Sequence, residues 1–131
     1  MDVVERSADH VDFDLEDRVP PVRRARRWIT ENVPELDRPA LLDLLLIADA
    51  LLTNAFEHAE APRRLRLSHR PDAHVVRVEV HDGSPELLPV LGKPGGLEPH
   101  HRGLLLVNRV ASRWGVDPQA DHKAVWGEVA A

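Results

Sequence analysis

Three groups of residues have types and spacings suited to binding or chemistry. Ala50, Asn54 and His58 recur every four residues in a very apolar stretch. At 3.6 residues per turn they fall on one stripe of a helix, drifting only about 40° per step. Asn54 then places a polar amide late in an apolar helix, and a buried amide needs partners. It can bond within the core, bond to a nearby loop, or serve a ligand. Asp82 ends the alternating run Val76, Val78, Val80, so its carboxylate shares their inward face. An inward carboxylate is costly unless bonded. It can accept from the exocyclic amine of a base or cap the turn at Gly83-Ser84, since aspartate before glycine is a common turn signal. The third group, His101-Arg102-Gly103, opens the last helix. Free backbone amides there can receive phosphate, with charge-assisted bonds from Arg102. His81, His100 and His101 lack metal-ligand spacing. Trp114 and Trp126 suit either a partner surface or core packing.

The elements that position these residues follow from periodicity. Val11 to Leu15 alternates as a short edge strand. Val22, Ala25, Trp28, Ile29 and Val33 recur at helical spacing after Pro20 and Pro21, and Pro34 ends that helix. Asp37 caps a second helix, Pro39 to His58, whose apolar character on nearly every side places it in the domain's centre. Leu65 and Leu67 alternate with arginines in a strand, and Pro71-Asp72 turns into a second strand, Val75 to Asp82. Gly83 to His100 carries four prolines and three further glycines, and no regular element survives that density of breakers. A helix from Gly103 to Ser112 and strands at Trp114 to Val116 and Ala124 to Val129 complete the chain. The order predicts an α+β, two-layer α/β sandwich with helices over one sheet face.

Bulk properties bound the function. The 131 residues suit one domain, expected over 1–131, with residues 1–10 a flexible segment and 83–100 a long loop. With 43% apolar and 30% charged residues, the chain has an ordinary globular balance. The absence of cysteine excludes disulfides and thiolate zinc sites and points to a reducing cytoplasm. A net charge of −5 argues against nucleic-acid binding, the cluster Arg23, Arg24, Arg26, Arg27 being a local exception read as a solvated helix face. The N-terminus carries no apolar signal region. The most apolar stretch, Pro39 to Phe56, is broken by Asp43, Asp49 and Asn54, so no membrane association is expected.

The order and spacing of the three groups carry more than any one alone. Thr53-Asn54-Ala55-Phe56-Glu57-His58-Ala59, then Val78-Glu79-Val80-His81-Asp82-Gly83-Ser84-Pro85, then Arg102-Gly103-Leu104-Leu105-Leu106-Val107, then Ser112-Arg113-Trp114-Gly115-Val116, and Val125-Trp126-Gly127-Glu128-Val129 form an ordered set. With Ala25-Arg26, this set resembles the anti-sigma regulatory factor and serine-protein kinase branch of the GHKL (histidine-kinase-like) ATPases, actinobacterial members above all. The resemblance spans residues 11 to 129. It implies the Bergerat-type fold, a mixed, mostly antiparallel sheet covered on one face by roughly three helices. It further implies that Asn54 ligates Mg²⁺ bridging the phosphates of ATP or ADP and that Asp82 accepts from the adenine amine. Residues 83–100 would form the lid, and Arg102 and Gly103 would cradle phosphate. Relatives commonly form homodimers, though no residue pattern here marks a dimer interface.

Three positions depart from the family pattern. The glutamate expected four residues before Asn54, the general base, is Ala50. A positioned base is worth about 10²–10⁴-fold in rate, so no catalytic residue is assigned. Asp49 is adjacent but about 100° around the helix. His101 stands at the first glycine of the final Gly-x-Gly, and Ser84 where many relatives have glycine. The expected function is a cytoplasmic regulatory protein that binds a sigma factor or an anti-sigma antagonist, its ATP site degenerate. The alternative is an active ATP-dependent serine-protein kinase acting on the antagonist, with Asp49 or a histidine recruited as base. A small-ligand sensor is a third reading.

Overall fold

The computed structural model describes residues 4–6, 10–86 and 99–131. In chain order the elements are β1 (Val4–Arg6), β2 (His10–Leu15), α1 (Val22–Asn32), α2 (Arg38–His58), β3 (Arg63–Arg70), β4 (Val75–Asp82), α3 (Pro99–Val110), β5 (Arg113–Pro118) and β6 (Lys123–Ala130). A single 3-10 turn at Pro71–Ala73 joins β3 to β4, where the Pro71-Asp72 turn is expected. Asp37 caps α2 by accepting from the Ala40 amide at 2.9 Å, and Pro39 lies in the opening turn, where its missing N–H costs nothing. At the other end of α2, Arg63 donates to the Ala55 and Ala59 carbonyls at 3.2 and 2.6 Å. Its guanidinium also lies 4.4 Å from the Phe56 ring centroid. The cation thus satisfies the Ala59 carbonyl beyond the helix end and adds a second donor to the Ala55 carbonyl, which already accepts from the Ala59 amide at 3.1 Å.

The six strands form one sheet in the order β1-β2-β3-β4-β6-β5, and every pairing is antiparallel. The expected mixed sheet is corrected on this point. The long route from β4 through α3 does leave β4 and β5 running the same way, but β6 turns back from β5 and inserts between them. The expected flexible segment over residues 1–10 is corrected in part. Val4–Arg6 pairs with Val11–Phe13 and so covers the polar edge that β2 would otherwise expose.

One face of the sheet carries Val11, Phe13, Leu15, Leu65, Leu67, Val76, Val78, Val80, Val125 and Val129, all buried. Against it lies α2, which contacts β4, β6 and both other helices. By length and composition α2 would suit a membrane span. Its apolar residues instead fill the core, with Leu44, Leu45, Ile47, Ala48, Leu51, Leu52 and Ala55 buried. Gly127 lets it approach, because a Cβ there would meet Ile47 Cγ2 at 2.7 Å. Helix α1 buries Ala25, Trp28 and Ile29, and Trp28 packs on Phe13 with ring centroids 5.3 Å apart. The result is a two-layer α/β sandwich with three α-helices among the described residues.

The opposite sheet face is a lattice of cross-strand ion pairs. Arg66 grips Asp12 with two bonds of 2.7 and 3.0 Å, and Arg64 bridges Asp14 at 2.8 Å and Asp12 at 3.3 Å. Arg77 pairs with Glu128 at 2.8 Å and lies 3.9 Å over the Trp126 ring. The arginine stems keep Asp12, Glu128 and Trp126 buried on this face. Burial pushes the Asp12 carboxyl up, but the Arg66 hydrogen bond and the charges of Arg66, His10 and Arg64 outweigh it and hold Asp12 below the usual value of 3.8. A depressed carboxylate stabilises the fold above its unfolded value, and that contribution fades as pH falls through the lower folded value. Asp12→Asn therefore costs about 1.5–3 kcal/mol near neutral pH. In urea titrations the gap to wild type closes as pH drops below 3.8. A gap that stays constant to acid pH would remove Asp12 ionisation from the stability account.

Candidate functional site

Ala50 and Asn54 lie on the stripe expected for them, both half-buried on α2. Asn54 is about one turn before the end of that helix, and its amide makes no hydrogen bond with another described residue. Asp49, the neighbour of Ala50, turns toward α1, with Oδ2 3.6 Å from the Arg26 guanidinium. Its Oδ1 is buried without a partner. Burial pushes this carboxyl up, against the opposing charge of Arg26. Asp49 is therefore committed to the α1 side of the helix.

Asp82 ends β4 on the inward face, as its alternation requires, and is 1% exposed. Its Oδ1 accepts the Ser84 amide at 2.9 Å, so the turn-capping role is realised. The same oxygen accepts from Lys123 Nζ at 2.8 Å, and Lys123, also 1% exposed, donates to the Ser84 carbonyl at 2.9 Å. Lys123 comes from the first position of β6, directly opposite Asp82 in the register. Sequence reasoning missed this residue, although a signal was present. Alternation through Val125, Gly127 and Val129 puts Lys123 on the inward face, and an inward lysine at a strand end needs an inward carboxylate. Asp82 Oδ2 stays buried with no partner.

The turn after Asp82 docks on the chain leaving α2. The Gly83 amide donates to the Glu60 carbonyl at 2.8 Å, and Ser84 Oγ accepts from the Glu60 amide at 2.9 Å. A Cβ on Gly83 would sit 2.5 Å from the Ala61 carbonyl oxygen, so only glycine permits this approach. Asn54 and Asp82 are thus brought to the same end of the sandwich, one on the last turns of α2 and the other beside the loop that follows it.

The remaining site residues divide. Helix α3 opens at Pro99, four residues earlier than expected, so Arg102 and Gly103 fall about one turn inside it rather than at its start. Proline suits that first position. The side chains of His100, His101, Arg102 and Gly103 lie outside the described residues, as do residues 87–98 of the lid expected over 83–100. His81 faces the other side of the sheet, bonded to Glu79 at 2.9 Å and stacked on His122 at 5.7 Å. It borders a cavity of about 830 Å³ with Asp14, Arg64 and His122, and Asp82 also lines this cavity. Arg64 is held by Asp14, and His122 by Asp121 at 2.7 Å. No group of metal-ligating side chains occurs among the described residues. Trp114 bonds Asn108 at 3.0 Å and is half-buried, whereas Trp126 is buried beneath Arg77.

The Asn54 amide, unbonded among the described residues, could serve an ion through its oxygen, and Asp82 Oδ2 is an unsatisfied acceptor matching an amine donor. The other oxygen of Asp82 is already neutralised by Lys123. The amide of Asn54 and Oδ2 of Asp82 are of the donor and acceptor types that a Mg-nucleotide would need.

No family model matches the chain. It is 38% identical over 77 residues to the uncharacterized protein SCO4941 of Streptomyces coelicolor, an alignment covering 56% of this chain and 72% of that one. The two chains belong to one family.

Proposed function

We propose that this member of the SCO4941 family is a regulatory protein that acts by binding other proteins, with a degenerate ATP site that no longer transfers phosphate. The partner class follows from the resemblance to anti-sigma factors: a sigma factor, an anti-sigma antagonist, or both, in the cytoplasm. The observation that carries the reading is the surface of α2, where Ala50 stands in the stripe of Asn54 and the nearest carboxylate, Asp49, faces Arg26. A fold retained around an absent base favours a binding role over catalysis. ATP or ADP with Mg²⁺ would be held by Asn54 through the ion and by Asp82 Oδ2 at the base, and would supply phosphates for α3 to orient. Lys123 weakens that hold by pairing with the carboxylate that must recognise the base.

Calorimetric titration with Mg-ATP and Mg-ADP should give a dissociation constant of about 1 mM or weaker, roughly 4 kcal/mol of binding. In parallel, purified chain immobilised on resin should capture a sigma factor or its antagonist. Micromolar Mg-ATP binding together with phosphorylation of a bound antagonist would support the kinase reading and overturn this one.

A further inference from the structure

Among the described residues β5 has a neighbour on one side only, β6, and so leaves one row of backbone groups open. The hairpin decides which residues own that row. The Gln119 amide donates to the His122 carbonyl at 2.7 Å, in the register that sets Arg113 opposite Glu128 and Asp117 opposite Ala124. In an antiparallel ladder, residues that bond to the partner strand alternate with residues that face away. Arg113, Gly115 and Asp117 therefore bond to β6, and Trp114, Val116 and Pro118 turn their backbone outward. Pro118 fits this phase, since it has no N–H to give a ladder. At the other end the Ser112 amide is taken by the Glu128 carbonyl at 2.8 Å. The open edge thus holds both backbone groups of Trp114 and Val116, and no described residue bonds to them.

This edge is complementary to itself. Laid antiparallel to a second copy about Gly115, Trp114 meets the partner's Val116 and Arg113 meets the partner's Asp117. Each Trp114–Val116 pair then exchanges two backbone hydrogen bonds. Arg113 and Asp117 fall where the two backbones come closest, about 4.5 Å between Cα atoms, on the face that carries Trp126. Both are exposed, and neither forms an ion pair with a described residue. On the other face Trp114 and Val116 are half-buried against the core, and each covers apolar surface that its counterpart leaves open. Sliding one chain by two residues sets Arg113 against the partner's Gly115 or the partner's Gln119 and loses both ion pairs. A foreign strand would need its own acid and base at this spacing, whereas a second copy supplies them by symmetry.

We propose that two copies of this chain pair antiparallel through β5, centred on Gly115, into one continuous sheet. Nothing in the sequence marks residues 113–118 as an interface, because the edge exists only once β6 has inserted between β4 and β5. The pairing is closed. The ends of the joined sheet are the two copies of β1, a three-residue strand that offers little to a further chain.

Sedimentation velocity on the full chain at rising concentration is expected to show a monomer–dimer equilibrium. D117R sets like charges opposite each other and should weaken the dimer at least about tenfold. V116P removes an outward N–H while leaving the β5–β6 ladder intact, and should weaken it at least about as much. R113D/D117R exchanges the two charges and should return the dimer to within about threefold of wild type. Recovery by exchange is a result that loss of fold would not give, and each variant should keep the wild-type circular dichroism. A chain that stays monomeric at about 1 mM overturns the proposal. So does a dimer indifferent to D117R and V116P, an exchange variant that fails to recover, or assembly that grows beyond the dimer.

Discussion

Lys123→Met lowers stability by about 3–5 kcal/mol, because it leaves Asp82 as an uncompensated buried carboxylate. Both members of the pair are 1% exposed, so water cannot replace the lost ammonium. The Ser84 carbonyl loses a donor in the same step. Against a typical domain stability of about 5–15 kcal/mol, this is a large share. Urea unfolding followed by circular dichroism measures it. Removing both charges in Asp82→Leu/Lys123→Met should restore a good part of the loss, since an apolar pair of similar volume often matches a buried ion pair. A loss below about 1 kcal/mol for Lys123→Met would mean that the ammonium contributes no more than an exposed pair. The pair would then be no obstacle to a nucleobase seeking Asp82.

The second large effect concerns chemistry. At several-millimolar Mg-ATP, Ala50→Glu should raise phosphoryl transfer or hydrolysis by about 10²–10⁴-fold over wild type. The new carboxylate would stand one turn before Asn54 on the same stripe, where the resemblance expects a base. Asp49→Ala in the wild-type background should leave the residual rate unchanged, because Asp49 turns to Arg26. A single-turnover assay with radiolabelled ATP separates these outcomes. Wild-type transfer abolished by Asp49→Ala would restore the kinase reading. An Ala50→Glu variant no faster than wild type would show that base recognition, and so Lys123, limits the site. Together with the Lys123 experiment, this distinguishes a site without a base from a site that cannot hold its nucleotide.

Most of the frame was readable from local pattern. The alternation of Val76, Val78 and Val80 placed Asp82 inward, and the four-residue recurrence put Ala50 and Asn54 on one face of a helix that Asp37 caps. The all-round apolarity of α2 predicted its central position. Such features depend on neighbours within a turn or a strand pair, whose geometry the backbone period sets.

What the chain alone left open depends on partners distant in sequence. The position of Asp82 before Gly83 favoured turn capping and left base binding open. The fold decides between them for Oδ1, through a lysine 41 residues away that strand order brings opposite. The direction of Asp49 needed α1 to be packed against α2, since helical phase gives an angle but not which neighbour lies there. The antiparallel sheet follows from β6 inserting between β4 and β5, a choice of strand order that hydrophobic periodicity does not encode. The same holds for the outer face, where Arg64 and Arg66 from the next strand lie across the buried Asp12. Periodicity determined which way each side chain points. Only tertiary packing decided what it meets there, because burial and charge pairing belong to the assembled layers and not to any one segment.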